Sequence, residues 1–161
     1  MKYVRIIRHA KSADGAIGLS DHDRPLAPRG ASDAEALQAW LAAQPHPIEW
    51  IWASSAIRAQ GTAEYVAAAS HARVVTETSL YLAGTDAIID AIRATPPDVE
   101  SIAVVAHNPG LTELVNLLGA EPVTDNLVTC SVVLFGFESD WAQLVPGYGH
   151  FVSLHTPKTI A

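Results

Sequence analysis

The chain opens with the apolar run Tyr3-Val4-Arg5-Ile6-Ile7, which is followed at once by Arg8-His9-Ala10-Lys11-Ser12. A second apolar run, Ile102–Ala106, is likewise followed by His107-Asn108. Runs that are apolar throughout, rather than alternating, indicate strands buried on both faces, as in a mostly parallel sheet. Polar residues that follow such strands lie at the carboxyl edge of an α/β sheet, where these folds place their binding sites.

The rest of the chain alternates predicted strands with predicted helices. Apolar runs predict strands at Trp50–Ala53 and Val132–Phe137, a weaker strand at Arg73–Thr76, and an edge strand at Trp141–Val145 in a hairpin with Val132–Phe137. Apolar residues at helical spacing predict helices over Asp33–Ala43, Ser55–Ala68, Thr85–Ala94 and Leu111–Leu118. This alternation predicts one domain over residues 1–161, a three-layer α/β/α sandwich around a mostly parallel sheet.

The helix after His107 has the best-defined boundaries in the sequence. Asn108 is the expected N-cap, and Pro109 suits the first helical position. Gly119 is expected to end this helix in the left-handed conformation.

Composition excludes several classes of function. The chain has 161 residues, with 10 Lys and Arg against 17 Asp and Glu, for a net charge of −7. This balance argues against a nucleic-acid partner, because no broad basic surface is available. We also expect no membrane partner and no signal peptide, which favours a cytoplasmic location. The lone cysteine, Cys130, is best explained as a small buried residue.

Two histidines and two arginines at strand-to-helix junctions suggest chemistry on a phosphoryl group. A neutral imidazole, here His9, is a competent nucleophile toward phosphorus. Arg8 and Arg58 are candidates to hold the phosphoryl oxygens, because guanidinium binds them bidentately and keeps its charge. His107 is placed to donate a further hydrogen bond, and a bound phosphate is expected to raise its pKa.

Four segments occur in a fixed order: Arg8-His9-Ala10-Lys11-Ser12, Asp23-Arg24-Pro25-Leu26-Ala27-Pro28-Arg29-Gly30, Ser54-Ser55-Ala56-Ile57-Arg58-Ala59-Gln60-Gly61-Thr62-Ala63 and His107-Asn108. This pattern resembles the histidine phosphatase superfamily, and within it the short SixA-type branch of phosphohistidine phosphatases. The resemblance implies a phosphoglycerate mutase-like fold. It also implies that His9 is the phosphorylated nucleophile.

Other roles follow from the same resemblance. Arg8, Arg58 and His107 match the phosphate pocket, and Lys11 and Ser12 flank it in sequence. The segment beginning Asp23-Arg24 resembles the entry to the second helix in that branch, where a structural ion pair is the preferred role for these two residues.

The general acid is the least defined part of the site. Hydrolysis of an alkyl phosphate requires protonation of a poor leaving group, usually by a carboxylic acid. Glu77 is the first candidate by chain order, and Asp86 and Asp21 are the next candidates. Each of the three can also be explained as a solvated loop carboxylate. A site without such an acid would favour phosphohistidine, because an imidazole nitrogen accepts a proton more readily than an alkoxide.

The sequence therefore predicts a phosphatase that acts on phosphohistidine in a protein through phospho-His9, with no metal or other cofactor. Two alternatives stay open. One is a phosphatase of the same superfamily that acts on a small phosphorylated molecule, and the other is a non-catalytic phosphate-binding module. A metal hydrolase is disfavoured, because the 7 histidines lack a ligand spacing.

Overall fold

The buried apolar runs form the strands of one six-stranded sheet. In the computed structural model, which describes residues 1–160, the strands are β1 (Lys2–Arg8), β2 (Trp50–Ser54), β3 (Arg73–Glu77), β4 (Ser101–Ala106), β5 (Val132–Phe137) and β6 (His150–His155). Their order across the sheet is β3-β2-β4-β1-β5-β6. Only β5 runs against its neighbours β1 and β6, so the sheet is mostly parallel, as predicted.

Helices cover both faces of this sheet. They are α1 (Pro28–Ala42), α2 (Ile57–Ala68), α3 (Thr85–Arg93), α4 (Gly110–Leu118) and the short α5 (Pro157–Ile160). Successive side chains of a strand point to opposite faces. Ile6 accordingly packs in the core under α3 and α4, whereas Ile7 packs in the core under α1 and α2. The three-layer α/β/α prediction is confirmed.

The predicted strand at Trp141–Val145 is wrong. Trp141–Gln143 forms a short 3-10 helix, because the Trp141 indole is buried and donates a hydrogen bond to the Val99 carbonyl at 2.6 Å. The strand that pairs with β5 is β6, and a β-bulge interrupts their register. None of the residues of β6 is fully buried, so this strand does not need the continuous apolar run by which buried strands are found in a sequence.

Two helix boundaries also differ from prediction. The helix predicted from Asp33 begins at Pro28, since proline is well suited to the first helical turn. Pro109 is itself the N-cap of α4, and the Asn108 side chain accepts a hydrogen bond from the Thr112 backbone one turn later. Gly119 is extended rather than left-handed, and it forms a parallel bridge with Gly149.

Within residues 1–160, no helix combines the length and the apolar character that crossing a bilayer requires.

Candidate active site

A cavity of about 330 Å³ opens at the carboxyl edge of the sheet, where β1 and β4 end. It is lined by Arg8, His9, Lys11, Ser12, Asp14, Arg24, Arg58, Leu82, His107, Asn108 and Thr129. The structure thus brings together the two histidines and two arginines predicted from the sequence. Arg24, for which the sequence predicts a structural ion pair, also lines the cavity.

The His9 backbone is fixed by the elements around it. Its N–H donates to the Ala106 carbonyl at 3.1 Å, which continues the pairing of β1 with β4. The next N–H, that of Ala10, donates to the Thr62 hydroxyl of α2 at 2.9 Å. Strand and helix together therefore hold the imidazole at the base of the cavity.

The hydrogen bond of the His9 ring identifies its tautomer. Nδ1 lies 2.7 Å from the Ala10 carbonyl oxygen, and a carbonyl oxygen can only accept, so Nδ1 carries the proton. Burial, with smaller contributions from the charges of Arg58 and Arg8, lowers the pKa of His9 to about 4. The ring is neutral at neutral pH, and Nε2 keeps its lone pair.

His107 lies beside His9, with the two ring centroids 5.1 Å apart. Its Nε2 is 2.7 Å from the Ser54 hydroxyl oxygen, and its buried Nδ1 has no hydrogen-bond partner in residues 1–160. Burial lowers the pKa of His107 to about 3, with His9 and Arg58 adding to the effect. In this ligand-free site His107 is therefore a neutral hydrogen-bonding group, and the rise in pKa predicted with phosphate applies only to a complex.

The two predicted phosphate-binding arginines are both held by oxygen atoms. Arg8 donates from Nη1 to the Leu127 carbonyl at 3.0 Å, while its buried Nε has no partner in the described chain. Arg58 is 4% exposed and donates to the Asp21 carbonyl at 2.7 Å and to the Asp21 carboxylate at 3.0 Å. Each guanidinium still has N–H groups free for an anion, since arginine carries five.

Asp21 joins several groups at the side of the cavity. Besides Arg58, its carboxylate accepts hydrogen bonds from Arg24, at 2.9 Å, and from the Tyr81 hydroxyl. The hydrogen bond from Tyr81 and those from the two arginines lower the pKa of Asp21 to about 2. Asp21 is therefore an anion at neutral pH and holds no proton to give to a leaving group.

The expected Asp23–Arg24 ion pair is wrong. Arg24 turns toward the cavity, where it pairs with Asp21 and donates hydrogen bonds to the Ser12 hydroxyl and the Ala13 carbonyl. Asp23 pairs instead with the neighbouring His22, at 3.2 Å. The motif also leads into α1, the first helix of the chain, rather than the second.

A sequence model of the histidine phosphatase superfamily (branch 1) matches residues 4–81, which include His9 and Arg58. An uncharacterized protein of Mycobacterium tuberculosis is 31% identical in an alignment covering 94% of this chain and all of that protein. This chain belongs to the histidine phosphatase superfamily. The Arg8-His9 pair, at the carboxyl end of β1, lies within the matched segment.

Solved structures agree with this membership. A protein histidine phosphatase SixA complexed with tungstate matches at a TM-score of 0.82 and 25% identity, over 99% of each chain. A SixA-type protein of Nakamurella multipartitia matches at a TM-score of 0.86 and 23% identity, over 97% of this chain and 96% of that one. The fold of this histidine phosphatase is therefore SixA-like and phosphoglycerate mutase-like.

The sequence-based candidate for the general acid lies outside the cavity of this phosphatase. Glu77 ends β3 and lines a separate cavity of about 270 Å³ with Trp52 and Asp90. Asp86 lies in the first turn of α3 and lines neither cavity. Chain order suggested Glu77, but β3 is the outermost strand, with β2 and β4 between it and β1. Among residues 1–160, Asp14 is the one carboxylate lining the cavity with His9.

Gly30, at the end of the second motif, allows the close packing that supports one wall of this phosphatase site. A Cβ atom at Gly30 would lie 2.0 Å from the Lys11 carbonyl oxygen, so only glycine lets α1 approach the Lys11 backbone this closely. The Ala27 N–H donates to the same carbonyl at 2.9 Å. The motif therefore supports the Lys11–Ser12 segment of the cavity wall, which the spacing alone did not reveal.

No group of three or more His, Cys, Asp or Glu side chains in residues 1–160 is arranged to hold a metal ion.

Proposed function

We propose that this histidine phosphatase hydrolyses phosphohistidine on a protein through a covalent phospho-His9 intermediate. One observation carries the proposal. His9 donates from Nδ1 to the Ala10 carbonyl, which leaves an unprotonated Nε2 in a cavity lined by four cationic side chains. A neutral imidazole held in this tautomer, beside groups that bind a phosphoryl dianion, is arranged for attack on phosphorus.

In the first step, His9 Nε2 forms a bond to phosphorus while the P–N bond of the substrate breaks. The far nitrogen of the substrate imidazole takes a proton from solvent, so this ring leaves as neutral imidazole. Phospho-His9 then carries positive charge on its ring, and its Nδ1–H donates to Ala10 more strongly. Arg8, Arg58 and His107 bind the phosphoryl oxygens and stabilise the charge that develops on them.

In the second step, water attacks phosphorus and the bond to His9 Nε2 breaks. The ring electrons return to Nε2, Nδ1 keeps its proton, and His9 is again neutral. The proton of the attacking water leaves with the phosphate or passes to solvent. No protein group is required to give a net proton, so the cycle closes with His9 in its starting tautomer.

The placement of the acidic side chains supports phosphohistidine over an alkyl phosphate. Asp14, the one carboxylate within residues 1–160 that lines the cavity, is exposed to solvent. Asp21 is held as an anion by Tyr81, Arg58 and Arg24, and Glu77 lines another cavity. An alkoxide that leaves without a proton is a poor leaving group. The SixA structure with tungstate, a tetrahedral oxyanion, is consistent with a phosphoryl site in this fold.

The experiment compares three substrates in the presence of EDTA: a protein carrying phosphohistidine, p-nitrophenyl phosphate and 3-phosphoglycerate. We expect kcat/KM to be highest for phosphohistidine, lower for the aryl ester, whose leaving group needs no acid, and lowest for the alkyl ester. His9→Ala is expected to lower turnover of phosphohistidine by at least about 1,000-fold, as loss of a nucleophile does.

His150→Ala is the matched control, because His150 is an exposed histidine at the start of β6 and lines no part of the catalytic cavity. Retained turnover in His9→Ala would contradict the covalent mechanism. Equal or greater kcat/KM on 3-phosphoglycerate would support the small-molecule phosphatase instead. Binding of phosphohistidine without turnover in the wild type would support a non-catalytic binding module.

A further inference from the structure

A second cavity adjoins the catalytic one. It has a volume of about 400 Å³ and is lined by Arg29, Val128, Thr129, Thr156, Pro157 and Lys158. Thr129 also lines the cavity that contains His9, so the two cavities meet at this residue. The neighbouring cavity contains none of the groups assigned to phosphoryl transfer.

Cationic side chains are concentrated around this pair of cavities. Of the 10 Lys and Arg residues in the chain, six line one cavity or the other: Arg8, Lys11, Arg24 and Arg58 in the first, and Arg29 and Lys158 in the second. Of the 17 Asp and Glu residues, Asp14 is the one that lines either cavity within residues 1–160. Six of the 10 cations of a protein with a net charge of −7 thus lie around these two cavities, where Asp21 pairs with Arg24 and Arg58.

The two cations of the neighbouring cavity are weakly engaged within the protein. Arg29 has its Nε 3.8 Å from the Asp33 carboxylate, and its side chain is 71% exposed. No carboxylate in residues 1–160 lies within 4.0 Å of the Lys158 ammonium. The remaining cations of the chain, at the opposite edge, bond to carbonyl oxygens or stack on an indole: Lys2, Arg5, Arg73 and Arg93.

We propose that the cavity of Arg29 and Lys158 binds a carboxylate side chain of the phosphorylated protein, so that the enzyme prefers phosphohistidine flanked by Asp or Glu. The inference rests on the proposed function, since it assigns the surroundings of the same phosphohistidine. Arg29 and Lys158 pair with the carboxylate, and the Thr129 and Thr156 hydroxyls can donate to it. Val128 and Pro157 provide apolar surface for its methylene groups.

Two peptides that differ only in the residues flanking phosphohistidine, Glu in one and Gln in the other, test this subsite. Binding of both is measured with the His9→Ala protein, which leaves the phosphoryl group in place. We expect the acidic peptide to bind about 10-fold more tightly, because each exposed ion pair contributes up to roughly fivefold. The difference is expected to shrink in high salt, which screens such pairs.

The double variant Arg29→Gln/Lys158→Gln, made in the His9→Ala protein, is expected to bind both peptides equally. Lys2→Gln/Arg73→Gln removes the same number of positive charges at the opposite edge of the sheet. This variant should still bind the acidic peptide more tightly. In the wild-type background, Arg29→Gln/Lys158→Gln should hydrolyse the small substrate phosphoramidate at the wild-type rate, which shows that the catalytic cavity is intact.

Equal binding of the two peptides to the His9→Ala protein overturns the proposed subsite, and so does a preference that survives Arg29→Gln/Lys158→Gln. Failure of the proposed function looks different. If the proposed function is wrong, the wild-type protein leaves both phosphopeptides intact. The difference in Kd between the two peptides, measured with the His9→Ala protein, still tests the roles of Arg29 and Lys158.

Discussion

Strand β1 carries two arginines, Arg5 at its middle and Arg8 at its carboxyl end, and they are bonded differently. Arg5, at 3% exposure, donates to the carbonyls of His46 and Pro45, each at 2.7 Å. Arg8 donates to one carbonyl, while its buried Nε has no partner in residues 1–160 and its side chain lines the catalytic cavity. Carbonyl oxygens thus satisfy the cation in the middle of the strand, whereas Arg8 at the carboxyl end keeps N–H groups for an external anion.

This difference distinguishes a structural cation, Arg5, from Arg8, which we propose binds the phosphoryl group. Buried polar atoms are normally hydrogen-bonded, so each exception needs a reason. Of the four buried side-chain atoms without a partner in the described chain, two belong to residues that line the cavity of His9, namely Arg8 Nε and His107 Nδ1. A bound phosphoryl group would give both of these atoms a partner.

The largest expected effect tests this contrast directly. Arg8→Gln should lower kcat/KM on phosphohistidine by about 100- to 1,000-fold, because it removes charged donors from the transition state. Arg5→Gln should leave kcat/KM of the folded protein unchanged and lower the free energy of unfolding by about 2 kcal/mol, since two carbonyls lose a charged partner. Steady-state kinetics and urea unfolding of both variants measure the two effects. A large loss of kcat/KM in Arg5→Gln, or none in Arg8→Gln, would contradict the assigned roles of the two arginines.

Gly30→Ala is expected to have the next largest effect. Its Cβ would push on the Lys11 carbonyl, which must move along with the cavity wall. We expect the free energy of unfolding to fall by about 2 kcal/mol. We also expect kcat/KM to fall by roughly 30-fold as catalytic groups shift.

Gly15→Ala is the control for this substitution, because a Cβ at Gly15 meets only the Arg24 Cδ, at an ordinary 3.8 Å. Gly15→Ala should stay close to wild type in both measurements. A Gly30→Ala protein with normal activity would show that the Lys11 segment does not have to be fixed for turnover.

Asp21→Asn tests how the carboxyl end keeps its arginines in position. The substitution removes the negative charge that Arg58 and Arg24 share, so we expect weaker tungstate binding and a KM about 10-fold higher. Asp23→Asn is the matched control, since Asp23 pairs only with His22 among the described residues. Equal effects of the two substitutions would show that Asp21 acts merely as one more surface charge.

The sequence predicted the buried part of this molecule well. Continuous apolar runs marked β1, β2, β4 and β5, and the residues after two of them, His9 and His107, do meet in one cavity. These features are local, because a strand buried on both faces needs apolar residues throughout. Once the strands are assigned, topology brings their carboxyl ends to the same edge.

The parts that the sequence did not predict depend on contacts between distant segments. Arg24 turns into the cavity because Asp21 and Ser12 bind it, and the spacing of these residues does not show that geometry. Glu77 was selected by order along the chain, but order does not say which strand lies at the edge of the sheet. The half-exposed strand β6 lacks the apolar pattern by which the buried strands were found.

The smallest expected effect concerns the charge of His9, the proposed nucleophile. With a pKa of about 4, His9 should stay at least about 90% neutral down to pH 5, so the fraction able to attack changes by less than twofold from pH 7. An NMR titration of the His9 ring should give a midpoint near 4, against about 6.5 in an unfolded chain. Tungstate should raise this midpoint and that of His107, because a bound dianion favours imidazolium.

The same two shifts make stability depend on pH with a definite sign. His9 and His107 have pKa values lowered to about 4 and about 3, so between these values and about 6.5 the unfolded chain binds more protons than the folded one. Their contribution to stability is complete above pH 6.5 and is lost as the pH falls through the folded-state values. Urea unfolding at pH 7 and pH 5 should therefore show lower stability at pH 5, and His9→Ala should reduce the difference. An unchanged difference in His9→Ala would mean that His9 is not buried in the neutral form, and the nucleophile would lose its physical basis.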